Sequence, residues 1–324
     1  MSQTLLLISQ NPIDQQFATQ AALSAGLTLH VASDPREAAR AIEHETPRCI
    51  LCDVSTHELY TNLENALQET VGLFSDKLNS NSIHFIGDGD LAQASYLVQS
   101  PIFGNFIIRP ETAVEETGQH YGRVLKGTLQ ERAFGIKHFL KPTAKTQTIK
   151  LHITTQKQDA VEAVRNYLIA AKFNNRMAMV IANGVDEILM NAMFDAPTDE
   201  LGKTLYQHTA RSASIKLEGK HAVEMEVGYD GQYVAVAAID HFGSLDKNRL
   251  LSLISKVYRD SEYKVKNQGA GAGLGLATVF QSGGSLVFVS EARVRTEVIL
   301  FFKRTDNYKE FKAQFKFIGT QLYF

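Results

Sequence analysis

The chain has 324 residues, which at roughly 150 residues per domain predicts two domains rather than one large core. Its 33 basic and 35 acidic residues leave a net charge of −2, so bulk charge gives no reason to expect a nucleic-acid partner. With 44% hydrophobic residues, the chain is too apolar to belong to the disordered class. Its two cysteines, Cys49 and Cys52, exclude a disulfide framework and are typical of a reducing compartment.

The N-terminal sequence lacks the features of an export signal. Its apolar run, Leu5 to Ile8, is short and follows no basic residue. We identify no stretch that approaches the roughly 18 apolar residues of a membrane span. We therefore expect a cytoplasmic protein with no membrane partner.

Strand-like and helix-like segments alternate through the first 110 residues. The strand-like runs are 4–9, 27–33, 48–54, 82–87 and 104–110. Residues 12–25 and 34–45 read as helices, and Asp34 followed by Pro35 is typical of a helix start, because aspartate caps the first turn and proline fits it. Apolar strands that alternate with helices predict an α/β doubly wound parallel sheet covered on both faces.

Asp53, at the end of the third predicted strand, is a candidate phosphoacceptor. The order of elements over residues 3–125, with Asp53 in this place and Arg109 after the fifth strand, resembles the receiver domain of two-component response regulators. The resemblance implies a Mg²⁺ site formed by acidic residues just after the first strand. Those positions hold the neutral Ser9 and Gln10. We therefore interpret residues 1–125 as a pseudo-receiver for docking or dimerisation, in which Asp53 is an aspartate solvated at a strand end.

The second half has a different pattern. After a connector at 126–147, helices followed by strands predict an α+β two-layer sandwich over residues 148–302. The predicted helices are 158–171 and 176–195, and the predicted strands are 150–155, 222–230, 233–240, 283–290 and 296–302. A short turn with glycine between two of these strands predicts a hairpin. Residues 303–324 form a C-terminal extension that the sequence does not place.

Residues 185–196 are the first candidate segment of a ligand site. Their apolar residues recur at spacings of three and four, as on the buried stripe of a helix. Asn183, Glu187, Asn191 and Asp195 follow one another every four residues on another face. A polar row of this kind is a candidate site, and a solvated helix face is the alternative.

Two further segments carry residues suited to a nucleotide. An apolar strand ends at Asp240, where a carboxylate could accept a hydrogen bond from a nucleobase, and Gly243 follows; an ordinary turn is the alternative. Further along, Gly271, Gly273 and Gly275 alternate with other residues before a helical run. Small residues at a helix start expose backbone N–H groups that bind phosphate, whereas a flexible linker is the alternative.

In order and spacing, the three segments resemble the nucleotide-binding boxes of the GHKL ATPase superfamily, which includes histidine kinases, gyrases and anti-sigma-factor serine kinases. The resemblance covers residues 148–302 and implies a GHKL (Bergerat) ATP-binding fold with ATP and Mg²⁺ as cofactors. It implies that Asn191 is the Mg²⁺ ligand, that Glu187 is the general base or an acid that orients a water molecule, and that Asp240 is the adenine-binding residue. The other implied nucleotide contacts are Gly243, Gly271, Gly273, Leu274 and Gly275, beneath a lid at 244–268.

The sequence departs from the GHKL pattern at two positions. Phe242 stands where the family has glycine, two residues after the aspartate. Asp195 puts a third acidic group near the expected triphosphate, which would repel it unless a cation intervenes.

Two functional hypotheses follow. His120 and His138 lack the acidic neighbour of a phosphoacceptor histidine, which disfavours an autokinase. The spacing from Glu187 to Ala192 looks most like the anti-sigma-factor serine kinases, which implies a serine/threonine protein kinase whose partner is an antagonist protein, a sigma factor or another signalling protein. The alternative is a non-catalytic scaffold with a degenerate nucleotide pocket. A homodimer is compatible with both hypotheses.

Overall fold

A computed structural model describes residues 3–89, 91, 93–130, 133–206, 208–259, 284–314 and 319–324. The chain forms two compact units. The first comprises residues 1–133 and 317–323, and the second comprises residues 134–316 and 324. The first unit therefore includes part of the C-terminal extension that the sequence left unplaced.

In the first unit, strands and helices alternate along the chain. The strands are β1 (Thr4–Ile8), β2 (Thr28–Ala32), β3 (Cys49–Asp53), β4 (Ile83–Gly87) and β5 (Asn105–Ile108), and the helices are α1 (Pro12–Ala25), α2 (Pro35–Glu45), α3 (His57–Thr70) and α4 (Val114–Gln130). The five strands pair in parallel in the order β2-β1-β3-β4-β5. The predicted alternation of helices with parallel strands is confirmed, and it is consistent with a receiver-like fold.

Two helices of this unit start where capping chemistry indicates. The Asn11 side chain accepts a hydrogen bond from the Ile13 N–H before α1, and the Asp34 side chain accepts two before α2. A proline follows each cap, because the first turn of a helix leaves its N–H groups without helical partners and proline has none to lose. The predicted helix start at Asp34 is confirmed.

Close packing of α4 on α1 completes the core of the first unit. A Cβ atom on Gly118 would lie 2.6 Å from the Phe17 carbonyl oxygen, and one on Gly122 would lie 2.3 Å from that of Ala21. Only glycine allows the two helices to approach so closely. Beneath them, Leu5 and other apolar side chains of β1, β3, β4 and β5 are buried.

The second unit combines antiparallel strands with helices. Its strands are β6 (Lys145–Leu151), β7 (Val223–Tyr229), β8 (Tyr233–Asp240), β9 (Ser285–Glu291) and β10 (Arg295–Lys303), and its helices are α5 (Gln156–Ala170), α6 (Asn175–Met190), α7 (Lys247–Arg259) and α8 (Tyr308–Gln314). The strands pair antiparallel in the order β9-β10-β8-β7-β6. Helix α6 packs on β8 and β10. The predicted C-terminal antiparallel strands with helices are confirmed.

The predicted hairpin is also confirmed. Between β7 and β8, the Asp230 carboxylate accepts hydrogen bonds from the N–H groups of Gln232 and Tyr233. Gly231 has a φ of +95°, which glycine adopts without the strain of other residues. These two features close a tight turn.

Three elements differ from their predicted bounds. β6 begins at Lys145 rather than at residue 150. The sequence did not show this start, because six residues of β6 are exposed and give no apolar alternation that would indicate a strand. The predicted helix 176–195 changes at Asn191 into a π-helical turn, Asn191–Asp195, in which the Ala196 N–H donates to the Asn191 carbonyl at 2.9 Å. Helix α7 occupies much of the predicted lid. Residues 260–283 lie outside the described residues, so the lid stays a prediction.

The C-terminal strand β11 (Thr320–Tyr323) extends the first unit's sheet by pairing antiparallel with β5. The buried Gln321 amide donates a hydrogen bond to the Tyr121 hydroxyl at 3.2 Å, and the Leu322 N–H donates to the Asn105 side chain at 3.2 Å. The end of the chain is thus held on this sheet by specific polar contacts as well as by backbone pairing.

Among the described residues, one helical stretch, Asn175–Asp195, has the length and apolar composition of a membrane span. The expectation that no segment has this composition is therefore wrong. Core helices of folded proteins pass the same test, and 61% of the apolar window is buried within the structure, where α6 packs on the sheet.

Candidate functional site

Acidic residues meet at the carboxyl ends of the parallel strands in the first unit. Asp53 ends β3, Asp88 directly follows β4 and Arg109 directly follows β5. These ends lie along one edge of a parallel sheet, so residues distant in sequence come together there. Asp14, in the first turn of α1, joins them. We call these four residues the Arg109 cluster.

Arg109 lies among the three carboxylates of the cluster. Its Nε atom is 2.7 Å from Asp14 Oδ1, and its Nη2 atom is 2.8 Å from both Asp14 Oδ2 and Asp53 Oδ1. Its Nη1 atom pairs with Asp88. The Ser9 hydroxyl donates a further hydrogen bond to Asp14 at 2.7 Å. Arg109 and Asp14 are buried, whereas Asp88 is mostly exposed.

This arrangement favours the ionised state of the arginine. Burial lowers the pKa of Arg109, but the hydrogen bonds and charge of Asp14, aided by Asp53, outweigh burial and raise that pKa above its ordinary value. The Asp53 side chain is only 12% exposed and also accepts a hydrogen bond from the Ser55 N–H at 3.0 Å. The expectation of a solvated Asp53 is therefore wrong, because an internal cation covers its carboxylate.

The polar row predicted on the second unit's helix lies at the end of α6 and in the π-helical turn. The Asn191 amide nitrogen, turned toward its two acidic neighbours, donates to Asp195 Oδ2 at 2.9 Å and to Glu187 Oε1 at 3.2 Å. Three of the four predicted residues are thus joined by hydrogen bonds, whereas Asn183 is exposed on α6. Burial raises the pKa of Glu187, and the positive charge of Arg211 opposes that rise.

Arg211 supplies the cation of this second group. Its Nη2 atom is 2.9 Å from both carboxylate oxygens of Asp195, and its Nη1 atom is 3.3 Å from the Met190 carbonyl oxygen. Its guanidinium also lies over the Phe194 ring, 5.4 Å from the ring centroid. The third acidic charge that the sequence places near a triphosphate is therefore paired within the unit.

Asp240 is buried at the end of β8. Its Oδ1 atom accepts hydrogen bonds from the N–H groups of Phe242 at 2.9 Å and Gly243 at 3.3 Å, so the turn that the sequence offered as an alternative is present. Burial raises the pKa of Asp240 to about 6, although these two N–H groups oppose the rise.

Gly243 and Phe242 shape the backbone beyond Asp240. Gly243 has a φ of +56°, and a Cβ atom there would lie 2.0 Å from the Glu291 carbonyl oxygen. Only glycine fits this close approach. Phe242, which replaces the expected glycine, is buried with its ring 5.0 Å from the His221 ring. It packs in the core rather than widening a ligand turn.

A cavity in the second unit connects the two groups of predicted residues. It encloses about 740 Å³ when the open solvent at its mouth is included. Its polar lining residues are Asn191, Asp195, Asp240, Ser244, Asp246, Arg249 and Thr296, and its apolar lining includes Ile188, Leu250 and Phe288. Glu187 is not part of the described lining and approaches the cavity through Asn191. Gly271, Gly273, Leu274 and Gly275 lie outside the described residues.

Sequence reasoning missed several residues at these sites, among them Asp14, Thr296 and Arg211. Asp14 had a signal, since it interrupts the buried apolar stripe of α1 three residues before Phe17. Thr296 is buried opposite Asp240 in the pairing of β10 with β8, where its hydroxyl lies near that carboxylate. Arg211 follows no pattern, because it lies in an irregular segment between the π-helical turn and β7.

Comparison with protein-family models finds no family that matches this chain, and comparison with curated proteins finds no match. The residues and their geometry therefore carry the functional argument.

Proposed function

We propose that this protein is a signal-transduction regulator whose second unit binds ATP with Mg²⁺ and acts as a serine/threonine protein kinase. The observation that carries the proposal is the wall of one cavity, where Asn191, Asp240 and Thr296 meet from three elements distant in sequence. The GHKL resemblance assigns the metal ligand and the adenine contact to two of these residues. Their shared position in the lining of this cavity supports that assignment.

Each polar residue has a proposed role in nucleotide binding. Asp240 accepts a hydrogen bond from the adenine amino group, and Asn191 holds Mg²⁺ at the phosphates. Bound Mg²⁺ neutralises charge during phosphoryl transfer. No group of three or more His, Cys, Asp or Glu side chains in the described ranges is arranged for a metal. Mg²⁺ suits this site, because it commonly takes one or two protein ligands and completes its shell with phosphates and water.

Glu187 is the proposed general base. A raised pKa brings a carboxylate closer to the value at which it accepts a proton efficiently near neutral pH. The substrate hydroxyl oxygen bonds to the γ-phosphorus, the bond from that phosphorus to the bridging oxygen breaks, and ADP leaves. Glu187 takes the hydroxyl proton. Glu187 reaches the cavity only through its hydrogen bond with Asn191. Its role as the base is therefore tested separately from nucleotide binding.

Titration of the full chain with ATP, with and without Mg²⁺, tests the binding proposal. We expect the wild type to bind ATP, Asn191→Ala to lose the Mg²⁺-dependent part of the affinity, and Asp240→Asn to bind ATP at least about tenfold more weakly, as when a buried polar contact is lost. Glu162→Gln, on the exposed face of α5, is the matched control. If millimolar ATP does not bind to the wild type, the kinase proposal is rejected.

Release of phosphate from ATP, in which water takes the place of the substrate hydroxyl as acceptor, tests the base. We expect Glu187→Gln to keep nucleotide affinity and to lose turnover, because the change removes the proton acceptor but keeps the shape of the side chain. Unchanged turnover would show that the base lies elsewhere.

The second candidate function is a non-catalytic signalling scaffold. Two observations favour it: Asp240 Oδ1 is engaged by the local turn, and Phe242 is buried where the GHKL pattern has glycine. In both proposals the first unit acts as a pseudo-receiver, because Arg109 covers the Asp53 carboxylate that a receiver would phosphorylate. Its proposed role is to dock a protein partner. Absence of ATP binding by the wild type would favour the scaffold.

A further inference from the structure

The orientation of the Asn191 amide is fixed by the two carboxylates beside it. Carboxylates only accept hydrogen bonds, and the amide NH₂ group has two hydrogens to donate. The nitrogen therefore faces Asp195 and Glu187, at 2.9 Å and 3.2 Å. The carbonyl oxygen is left as the polar atom of Asn191 that neither carboxylate engages.

The Asp195 carboxylate is itself held in place. Arg211 contacts both of its oxygens at 2.9 Å, and Arg211 is anchored by the Met190 carbonyl and the Phe194 ring. All these contacts lie at the π-helical turn, and such turns often occur at functional sites. The result is a chain of contacts from Arg211 through Asp195 to Asn191.

The chemistry of Mg²⁺ makes this orientation consequential. Mg²⁺ takes oxygen ligands, so the amide group can serve it only through its carbonyl oxygen. Without the Asp195 charge, an exchange of the amide oxygen and nitrogen would meet less opposition. The metal would then face an NH₂ group.

We propose that Asp195 and Arg211 are positioning residues that orient the Asn191 amide so that its carbonyl oxygen is presented to nucleotide-bound Mg²⁺. This inference rests on the proposed ATP-binding function. It gives the extra acidic residue a role: Asp195 directs a ligand, while Arg211 offsets the negative charge that would repel phosphate.

The test compares ATP affinity with Mg²⁺ and with EDTA in the full chain, by calorimetry. The ratio of the two affinities measures the contribution of the metal. We expect Asp195→Asn, which keeps the size of the side chain, and Arg211→Ala to reduce this ratio by about tenfold, as for residues that orient metal ligands. Affinity for ATP in EDTA should not fall in Asp195→Asn, which also shows that this variant is folded, whereas Arg211→Ala should lower it because the Asp195 charge is then uncompensated.

Asp186→Asn is the matched control. It removes an acidic charge from the same helix, where Asp186 pairs with Lys157. We expect its ratio to equal that of the wild type. If the wild type binds ATP–Mg²⁺ and Asp195→Asn keeps the wild-type ratio, the inference is overturned while the proposed function stands. The inference is also overturned if Asp195→Asn loses the same factor of ATP affinity with Mg²⁺ and with EDTA. If the wild type binds no ATP, both the inference and the proposed function are rejected.

Discussion

Each unit holds acidic side chains grouped with one arginine, but the arginine lies in a different place in each group. In the first unit, Arg109 lies among Asp14, Asp53 and Asp88 and contacts all three. In the second, Asp195 is the one described acidic residue that pairs with Arg211, while Asn191 lines a cavity. Similar residue types thus form a closed ion-pair cluster in one unit and a candidate ligand site in the other. The position of the cation decides between the two.

Burial explains why that position matters. A guanidinium has five N–H donors in a fixed fork and can satisfy several carboxylates at once when it is enclosed by them. Arg109 is 7% exposed and fills this role, whereas Arg211 is 35% exposed and touches its group from the outer side.

Removal of the Arg109 guanidinium has the largest expected effect. Arg109→Ala leaves the buried Asp14 and Asp53 carboxylates uncompensated, which should lower the free energy of unfolding by about 3–5 kcal/mol. Hydrogen exchange of β1 and β3 during denaturation measures the loss in the first unit. The comparison variant is Arg211→Ala, whose partly exposed ion pair should contribute under about 1 kcal/mol. Equal losses would contradict the contrast.

Glu297 provides an intermediate case, a buried acid with one arginine at its side. It accepts hydrogen bonds from Gly135 N–H at 3.0 Å and from Arg295 at 2.9 Å, and burial raises its pKa to about 7. Because the folded pKa exceeds the ordinary value of 4.5, the folded state binds more protons between these values. Stability therefore falls as pH rises through this window, by up to about 3 kcal/mol.

Unfolding free energies measured from pH 4.5 to about 8 test this effect, since Glu297→Gln removes the titrating group. The variant should lose less stability over the window than the wild type. Glu162→Gln, at an exposed position, should keep the wild-type slope. An unchanged slope in Glu297→Gln would refute the assignment.

Gly243→Ala should destabilise the second unit more than Gly231→Ala. Both glycines have positive φ, so each substitution carries backbone strain of about 1–2 kcal/mol. Nothing lies within 4 Å of a Cβ on Gly231, whereas one on Gly243 meets the Glu291 carbonyl at 2.0 Å. Thermal unfolding should show an additional loss of about 1 kcal/mol or more for Gly243→Ala, the scale of overpacking costs. Equal losses of stability in the two variants would mean that the loop around Gly243 moves to accommodate the added methyl group at no cost.

The smallest expected effect is the response of Asp53 to acetyl phosphate and Mg²⁺. We expect mass spectrometry to detect no phosphate on the wild-type chain, because Arg109 and the Ser55 N–H engage Asp53 Oδ1. A receiver domain that is phosphorylated under the same conditions is the positive control. Stoichiometric labelling of Asp53 would show that the Arg109 cluster opens.

The sequence determined the elements whose signal is local. Alternating apolar runs identified the five parallel strands, and capping chemistry placed the start of α2 at Asp34, because both depend on residues close together in the chain. The same periodicity identified α6 and grouped Glu187 with Asn191 and Asp195, which the structure places in the π-helical turn that follows α6. The sequence did not signal β6 at its true start, since an exposed edge strand pairs through its backbone and needs no apolar alternation.

Only the tertiary structure decided the partners of the charged residues. The sequence shows that Asp53 ends a strand, but not that Arg109, distant in sequence, occupies its carboxylate, because parallel strands bring their ends together through crossovers. Arg211 is part of no recognisable sequence pattern. It lies in an irregular segment, and only the fold brings it to Asp195. The same holds for β11, whose place beside β5 depends on buried contacts of Gln321 with Tyr121. Local residue patterns fix helices, strands and caps, whereas the pairing of a charge depends on what the folded chain brings within about 4 Å of it.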